Sequence, residues 1–248
     1  SVFTKTGSLK MGFINPYRTL SAYVNNSTSV GEFKLPFSNL VFQTIAESYK
    51  VGLRSSKVLS KIQINKQTGE VRLRIRPEVE FYQWNDDKNK LNRFPITSAD
   101  FVFSIKALRH NWTSGGYGSY FDILKEVYVD LKTNEVVLKF DAPSYSQVNV
   151  MLSYIFTQGF LLPERIYKTV EGTDSGWDIV PVGVGPYFVK LADLRRNGQN
   201  IRYHKVPDHW VEKALPSLRE YRFNEVNLIK LSDYDAKKMA LTAGDIDY

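Results

Sequence analysis

Hydrophobic and polar positions alternate with a period of two in three places along the chain, and each place has a turn signal at its centre. In SKIQINKQTGEVRLRIR, Ile62 and Ile64 alternate with polar residues, a turn falls at Gly69, and Val71, Leu73 and Ile75 resume the alternation. That pattern predicts an antiparallel hairpin with one buried face. KEVYVDLKTNEVVLKFD repeats the scheme, with Val127, Val129 and Leu131 before the turn and Val136, Leu138 and Phe140 after it. In GPYFVKLADLRRNGQNIRYHKV, Tyr187, Val189 and Leu191 stand against Ile201 and Tyr203. The three share a device and are not sequence repeats.

A period of 3.6 takes over in PITSADFVFSIKALRH, where Phe101, Ile105 and Leu108 fall on one helical stripe. Thr97 can accept from first-turn N–H groups while Asp100, three residues on, reaches back and complements the dipole; His110 then stands at the helix end. SDYDAKKMALTAG reads the same way. Ser232 and Asp235 form the cap pattern, Ala236, Met239 and Ala240 the apolar stripe, and Gly244 the left-handed stop. Strands and helices are interspersed and hairpins are frequent, so the fold class is mixed α/β. TVEGTDSGWDIVPVGVGP, residues 169 to 186, gathers Gly, Asp, Ser and Pro and marks a domain boundary.

Composition narrows the function. A chain of 248 residues, 43% hydrophobic and 14% aromatic, buries a sizeable core. Its longest apolar runs fall far short of the ~20 residues a bilayer span needs. SVFTKTGSLK lacks the charged start and apolar stretch of a secretory signal, so such a signal has been removed or never existed. The absence of cysteine excludes disulfides, a thiol nucleophile and thiolate metal sites. A net charge of +7 raises the question of nucleic acid. The cations are not clustered, however: Arg72, Arg74 and Arg76 alternate with Val71, Leu73 and Ile75 and read as the wet face of a strand, and Arg195 and Arg196 sit in a turn.

Candidate chemistry is sparse. His204 and His209 are five apart across a proline and no third ligand joins them, so both, with His110, read as surface or packed histidines and no metal is implied. No nucleophile elbow, zinc helix or phosphate loop occurs. GVGP in PVGVGPYFVK follows a loop, lacks a third glycine and is succeeded by alternating residues, so it reads as a turn that launches a strand. TSGGYGSYF, with Gly115, Gly116 and Gly118 around Tyr117, has two readings: a flexible connection, or small neighbours that let Tyr117 project into a cleft and bind a ligand. NNST and NWT match the glycosylation acceptor pattern, which is common by chance.

Four segments in order resemble the bacterial extracellular solute-binding proteins, family 5, the peptide and nickel class that feeds ABC importers. They are PITSADFVFSIKAL, PVGVGPYFVK, KVPDHW and KKMALTAGDIDY, covering most of residues 70 to 248. GFINPYRTL, GGYGSYFDILKEVYV and NGQNIRYHKVPDHW look closest to the subgroup that imports longer peptides and microcin C. Departures are Lys205 and Val206 before the proline, His209 in place of an aromatic, and Val211 after Trp210.

The resemblance implies a periplasmic-binding-protein-like (type II) lobe with an inserted, smaller β-rich domain. The lobe would be discontinuous, 1–45 and 171–248, with the inserted domain at 46–170. Relatives are considerably longer, so the second lobe is expected to be missing from this chain. It further implies a monomeric binding protein with no reaction and no cofactor, which captures an oligopeptide or peptide-like solute in an interlobe cleft and delivers it to ABC importer membrane subunits. Its address would be the periplasm or the outer face of a bacterial membrane. Tyr117 matches a ligand-facing tyrosine of the oligopeptide binders, and Tyr17, Thr19 and Ser21, after Asn15 and Pro16, would line the cleft. The alternatives are a truncated scaffold that holds a partner surface without a transport ligand, and a polyanion binder, which the scattered cations disfavour.

Overall fold

The computed structural model describes residues 7–14, 38–45, 56–114, 121–141, 144–174, 181–193, 200–217 and 223–248. In chain order the strands are β1 (Ser8–Phe13), β2 (Leu59–Ile64), β3 (Glu70–Ile75), β4 (Glu80–Asn85), β5 (Lys90–Pro95), β6 (Leu124–Asp130), β7 (Glu135–Phe140), β8 (Tyr187–Phe188), β9 (Ile201–Lys205) and β10 (Glu225–Lys230). The helices are α1 (Ser98–Ser114), α2 (Tyr145–Gln158), α3 (Glu164–Tyr167), α4 (Trp210–Ala214) and α5 (Tyr234–Ala243). Two compact units divide them: unit one is Ser1–Phe42, Tyr82–Arg93 and Ser175–Tyr248, and unit two is Gln43–Phe81 and Phe94–Asp174.

Unit two is built on the sheet β2-β3-β7-β6, antiparallel throughout. Both hairpins read from the period-two pattern are present. The first closes over Asn65, whose Oδ1 accepts from the N–H groups of Gln67 and Thr68, and Gly69 takes φ +71°. In the second, Asp130 Oδ1 accepts from Lys132 N–H and Asn134 takes φ 56°. Leu131 does not continue the buried face of β6; it lies at the turn and is 93% exposed. β7 is a central strand with Val136, Val137 and Leu138 all buried, so alternation gives way to burial on both faces.

The helix after β5 is capped as expected. Thr97 Oγ1 accepts from Asp100 N–H at 3.1 Å, and Asp100 Oδ2 accepts from Thr97 N–H and hydroxyl, each at 2.9 Å. Phe101, Ile105 and Leu108 are fully buried or nearly so, and α1 packs against β6, β7, α2 and α3. It runs to Ser114 rather than ending near His110. Two polar residues of the stripe tie it to residues 162–164: Ser104 Oγ accepts from Leu162 N–H, and Asp100 Oδ1 accepts from Glu164 N–H, both at 2.9 Å.

Unit one holds the sheet β1-β10-β9-β8, in which β1 and β10 are parallel and the other pairs antiparallel. β8 is two residues long, and Leu191, placed on the buried face by the alternation, is 51% exposed on a short 3₁₀ turn that follows. α5 is capped by Asp233, whose Oδ1 accepts from Ala236 N–H at 2.8 Å, one residue later than the sequence pattern suggests. Gly244 takes the left-handed stop, φ 79°. The predicted stripe is only half covered: Ala236 and Ala240 are half-buried and Met239 is 72% exposed.

Candidate functional site

In sheets with parallel strands, ligands gather at the carboxyl ends of the strands, where loops leave the scaffold. In unit one those ends are Phe13 of β1 and Lys230 of β10, aligned in register. β1 is held on both sides there. Leu231 N–H donates to the Phe13 carbonyl on the β10 side, while Gly12 N–H donates to the Tyr248 carbonyl and Asp247 N–H to the Lys10 carbonyl on the other, each at 2.8 Å. Asp247 Oδ2 adds a bond from Lys10 N–H. The chain therefore leaves a rigid strand as it enters residues 15–37, the stretch carrying Tyr17, Thr19 and Ser21. These three lie outside the described residues. So does Tyr117, between α1 and β6.

Close backbone packing within unit one explains the GVGP segment. Cβ atoms built on Gly183 and Gly185 would collide with the backbone of Val41 and its neighbours, so two chains lie against each other as only glycine permits. Gly185 N–H donates to the Val41 carbonyl and Tyr82 N–H to the Gly183 carbonyl, both at 2.9 Å. The Val184 carbonyl accepts twice, from His209 Nε2 at 2.8 Å and Trp210 Nε1 at 2.7 Å. These glycines make a backbone junction, and Val182 to Val189 is buried throughout.

His209 and His204 resolve into packing roles. His209 is 1% exposed. Its Nε2 donates to Val184 and its Nδ1 accepts from Val211 N–H, which fixes the neutral Nε2–H tautomer and caps α4. Tyr82 completes the knot, its hydroxyl accepting from Trp210 N–H at 2.8 Å. Arg93 donates to the carbonyls of Pro207 and Asp208 and lies over the Tyr82 ring. His204 stacks on Phe188, Phe188 on Trp84, and Lys190 covers Trp84 at 4.1 Å; Asp193 Oδ2 sits 2.5 Å from His204 Nε2. Tyr187 is buried, its hydroxyl pushed up to about 12 by that burial, and donates to the Phe223 carbonyl. Sequence reasoning overlooked the β4–β5 hairpin that supplies Tyr82, Trp84 and Arg93. NDDKN between two aromatic-bearing runs was the available signal, and Asn85 Oδ1 does accept from Lys88 N–H in that turn.

The arginines that alternate in β3 are spent internally. Arg72 bonds Asp130 and Glu70, each at 2.8 Å, which raises the guanidinium's affinity for its proton and holds Asp130 at about 2. Arg74 lies 3.5 Å from Glu135, a buried carboxylate that Lys61 also reaches at 3.0 Å. Lys61 is the main reason that Glu135 stays below the usual carboxylate range. Among the described residues there is no cluster of three or more metal-ligating side chains, and no helix is long and apolar enough to cross a membrane.

Comparison with known proteins places this scaffold. The family model described as bacterial extracellular solute-binding proteins, family 5, middle region, matches residues 44–248. No curated protein matches the sequence. The fold is shared with solved structures. The mannohexaose-bound periplasmic oligopeptide-binding protein of Thermotoga maritima is 14% identical, with a TM-score of 0.70 over 98% of this chain and 41% of that one. DppA of Helicobacter pylori in complex with the peptide STSA is 15% identical, TM-score 0.71, over 97% and 46%. AppA of Bacillus subtilis in complex with a nonapeptide is 18% identical, TM-score 0.69, over 98% and 44%. The chain thus spans less than half the length of these structures. At such identities the likeness shows the fold alone, the periplasmic-binding-protein-like arrangement expected from the sequence.

Proposed function

Since the chain belongs to the bacterial extracellular solute-binding proteins, family 5, we propose that it acts as the substrate-binding component of an ABC importer, capturing oligopeptides or peptide-like solutes. The observation that carries this reading is the family match over residues 44–248, the range in which PITSADFVFSIKAL, PVGVGPYFVK, KVPDHW and KKMALTAGDIDY follow one another. In this reading residues 1–45 and 171–248 form the first lobe and 46–170 the inserted β-rich domain. Tyr17, Thr19 and Ser21, which follow the carboxyl end of β1, face the ligand together with Tyr117. An extended peptide would be held through its main chain and bridging water, which makes the site tolerant of side-chain identity. The protein works as a monomer at the periplasmic or outer face of a bacterial membrane, delivering to importer membrane subunits. The finer placement, with importers of longer peptides and microcin C, is supported by GFINPYRTL, GGYGSYFDILKEVYV and NGQNIRYHKVPDHW.

Native mass spectrometry of gently purified protein, set beside its denatured mass, tests this. Peptide-sized adducts that disappear on denaturation are expected, as is re-loading from a mixture of tri- to nonapeptides. Tyr117→Ala should weaken re-loading about tenfold, the loss of one aromatic contact with its hydroxyl. A bare chain that takes up no peptide would overturn the proposal and favour a scaffold without a transport ligand.

A further inference from the structure

An open groove of about 450 Å³ runs along the outer side of β6 in unit two, within the range of about 300–1,000 Å³ typical of ligand sites. One wall is α1, through Ile105, Lys106 and Arg109; the other is five consecutive residues of β6, Leu124 to Tyr128. Successive side chains of a strand point to opposite faces, so a hollow over one face would be lined by alternate residues. A bulge between Leu124 and Glu126 breaks that alternation, so all five residues border the hollow. β6 is the last strand of its sheet, and among the described residues no strand pairs with its other side. Such an edge carries backbone N–H and C=O groups that no neighbouring strand answers, a template for one more strand.

Charge selects the strand that fits. Lys106, Arg109 and Lys125 are exposed along the groove. Glu126, the one acid there, lies 3.6 Å from Lys139, which offsets it. Arg109 Nη1 reaches the Leu124 carbonyl at 3.3 Å and Lys125 Nζ the Asp122 carbonyl at 2.8 Å, contacts that leave both positive charges unneutralised. Ile105 and Leu124 are buried, and Val127 and Tyr128 half-buried, giving the floor an apolar character. We propose that this groove receives an acidic, extended segment of a partner protein, added to β6 as a strand, with its carboxylates on Lys106, Arg109 and Lys125. This docking is separate from the capture of a transported solute.

Fluorescence anisotropy on the full chain tests it, with an end-capped, labelled heptapeptide alternating Glu and Val at low salt. Saturable binding is expected, about tenfold weaker for K106E/R109E and unchanged for K88E/K90E, which reverses two exposed charges on the β4–β5 hairpin. Methylating every second peptide nitrogen should also cost about tenfold, because strand addition needs those donors. If K106E/R109E melts early, K106E alone, on an exposed side chain, should still weaken binding about threefold. The proposal is overturned by no saturable binding, as when the basic side chains serve only to keep other strands away. Equal loss in K106E/R109E and K88E/K90E, or equal affinity of the methylated peptide, overturns it as well.

Discussion

Glu135 shows how one residue couples burial to charge. Its side chain is 4% exposed and ionised because Lys61 and Arg74 converge on it. Its folded-state pKa is depressed, so its contribution to stability is fully present above the unfolded value, about 4.3, and fades as pH falls toward the lower folded value. In Glu135→Gln the ion pair is replaced by a weaker bond, at a cost of about 1–3 kcal/mol at pH 7. Urea unfolding midpoints at pH 7 and pH 3.5 should therefore lie far apart for the wild type and closer together for the variant. A variant whose midpoint drops with acid as steeply as the wild type would show that Glu135 is not the titrating group. Asp130, paired with Arg72, follows the same sign at a more acidic pH, since it is held at about 2. From sequence these arginines read as a wet strand face. Their acids could not be assigned, because Asp130 and Glu135 lie 58 and 61 residues from their partners.

At the scale of elements, the period of the pattern carried most of the information wherever one face of an element is buried. The β2–β3 and β6–β7 hairpins and the start of α1 were legible for that reason. Where burial is two-sided or partial the pattern misleads: β7 buries both faces, β8 stops after Phe188, and Met239 of α5 looks toward solvent. β1 and β10, as long as β2 and β3, escape notice because their pairing is non-local and no turn signal joins them. The cap of α1 matters beyond the helix. Asp100 takes bonds from Thr97 N–H, Thr97 hydroxyl and Glu164 N–H, so one carboxylate both starts α1 and holds the start of α3. Asp100→Ala should lower stability by about 2–3 kcal/mol, more than a simple cap. Asp100→Asn, which keeps one good acceptor, should recover part of that, read as thermal midpoints. Equal midpoints for Asp100→Ala and wild type would refute the dual role.

At the scale of the whole molecule the chain passes between the two units at 42/43, 81/82, 93/94 and 174/175. Composition could suggest a boundary near residues 169–186, but it could not reveal that the β4–β5 hairpin straddles the division. Nor could it place the proposed ligand residues, which rest on motif position. The parallel pair β1–β10 is the feature with the furthest reach: Ser8 lies beside Glu225 and Phe13 beside Lys230. Closing so long a loop is entropically costly and slow relative to local hairpins. In refolding followed by pulse-labelled hydrogen exchange, amides of β2–β3 and β6–β7 should gain protection before those of β1, and simultaneous protection would argue against this order. On the ribosome the same pairing becomes a matter of time. Between Ser8 and its partner Glu225 the ribosome must add all of the intervening chain, a wait on the order of 10–40 s at ordinary elongation rates. Every residue of unit two is made by Asp174, before β10 exists. Through that interval β1 waits unpaired while unit two already has all of its residues, so the two units are offset in time as well as in sequence.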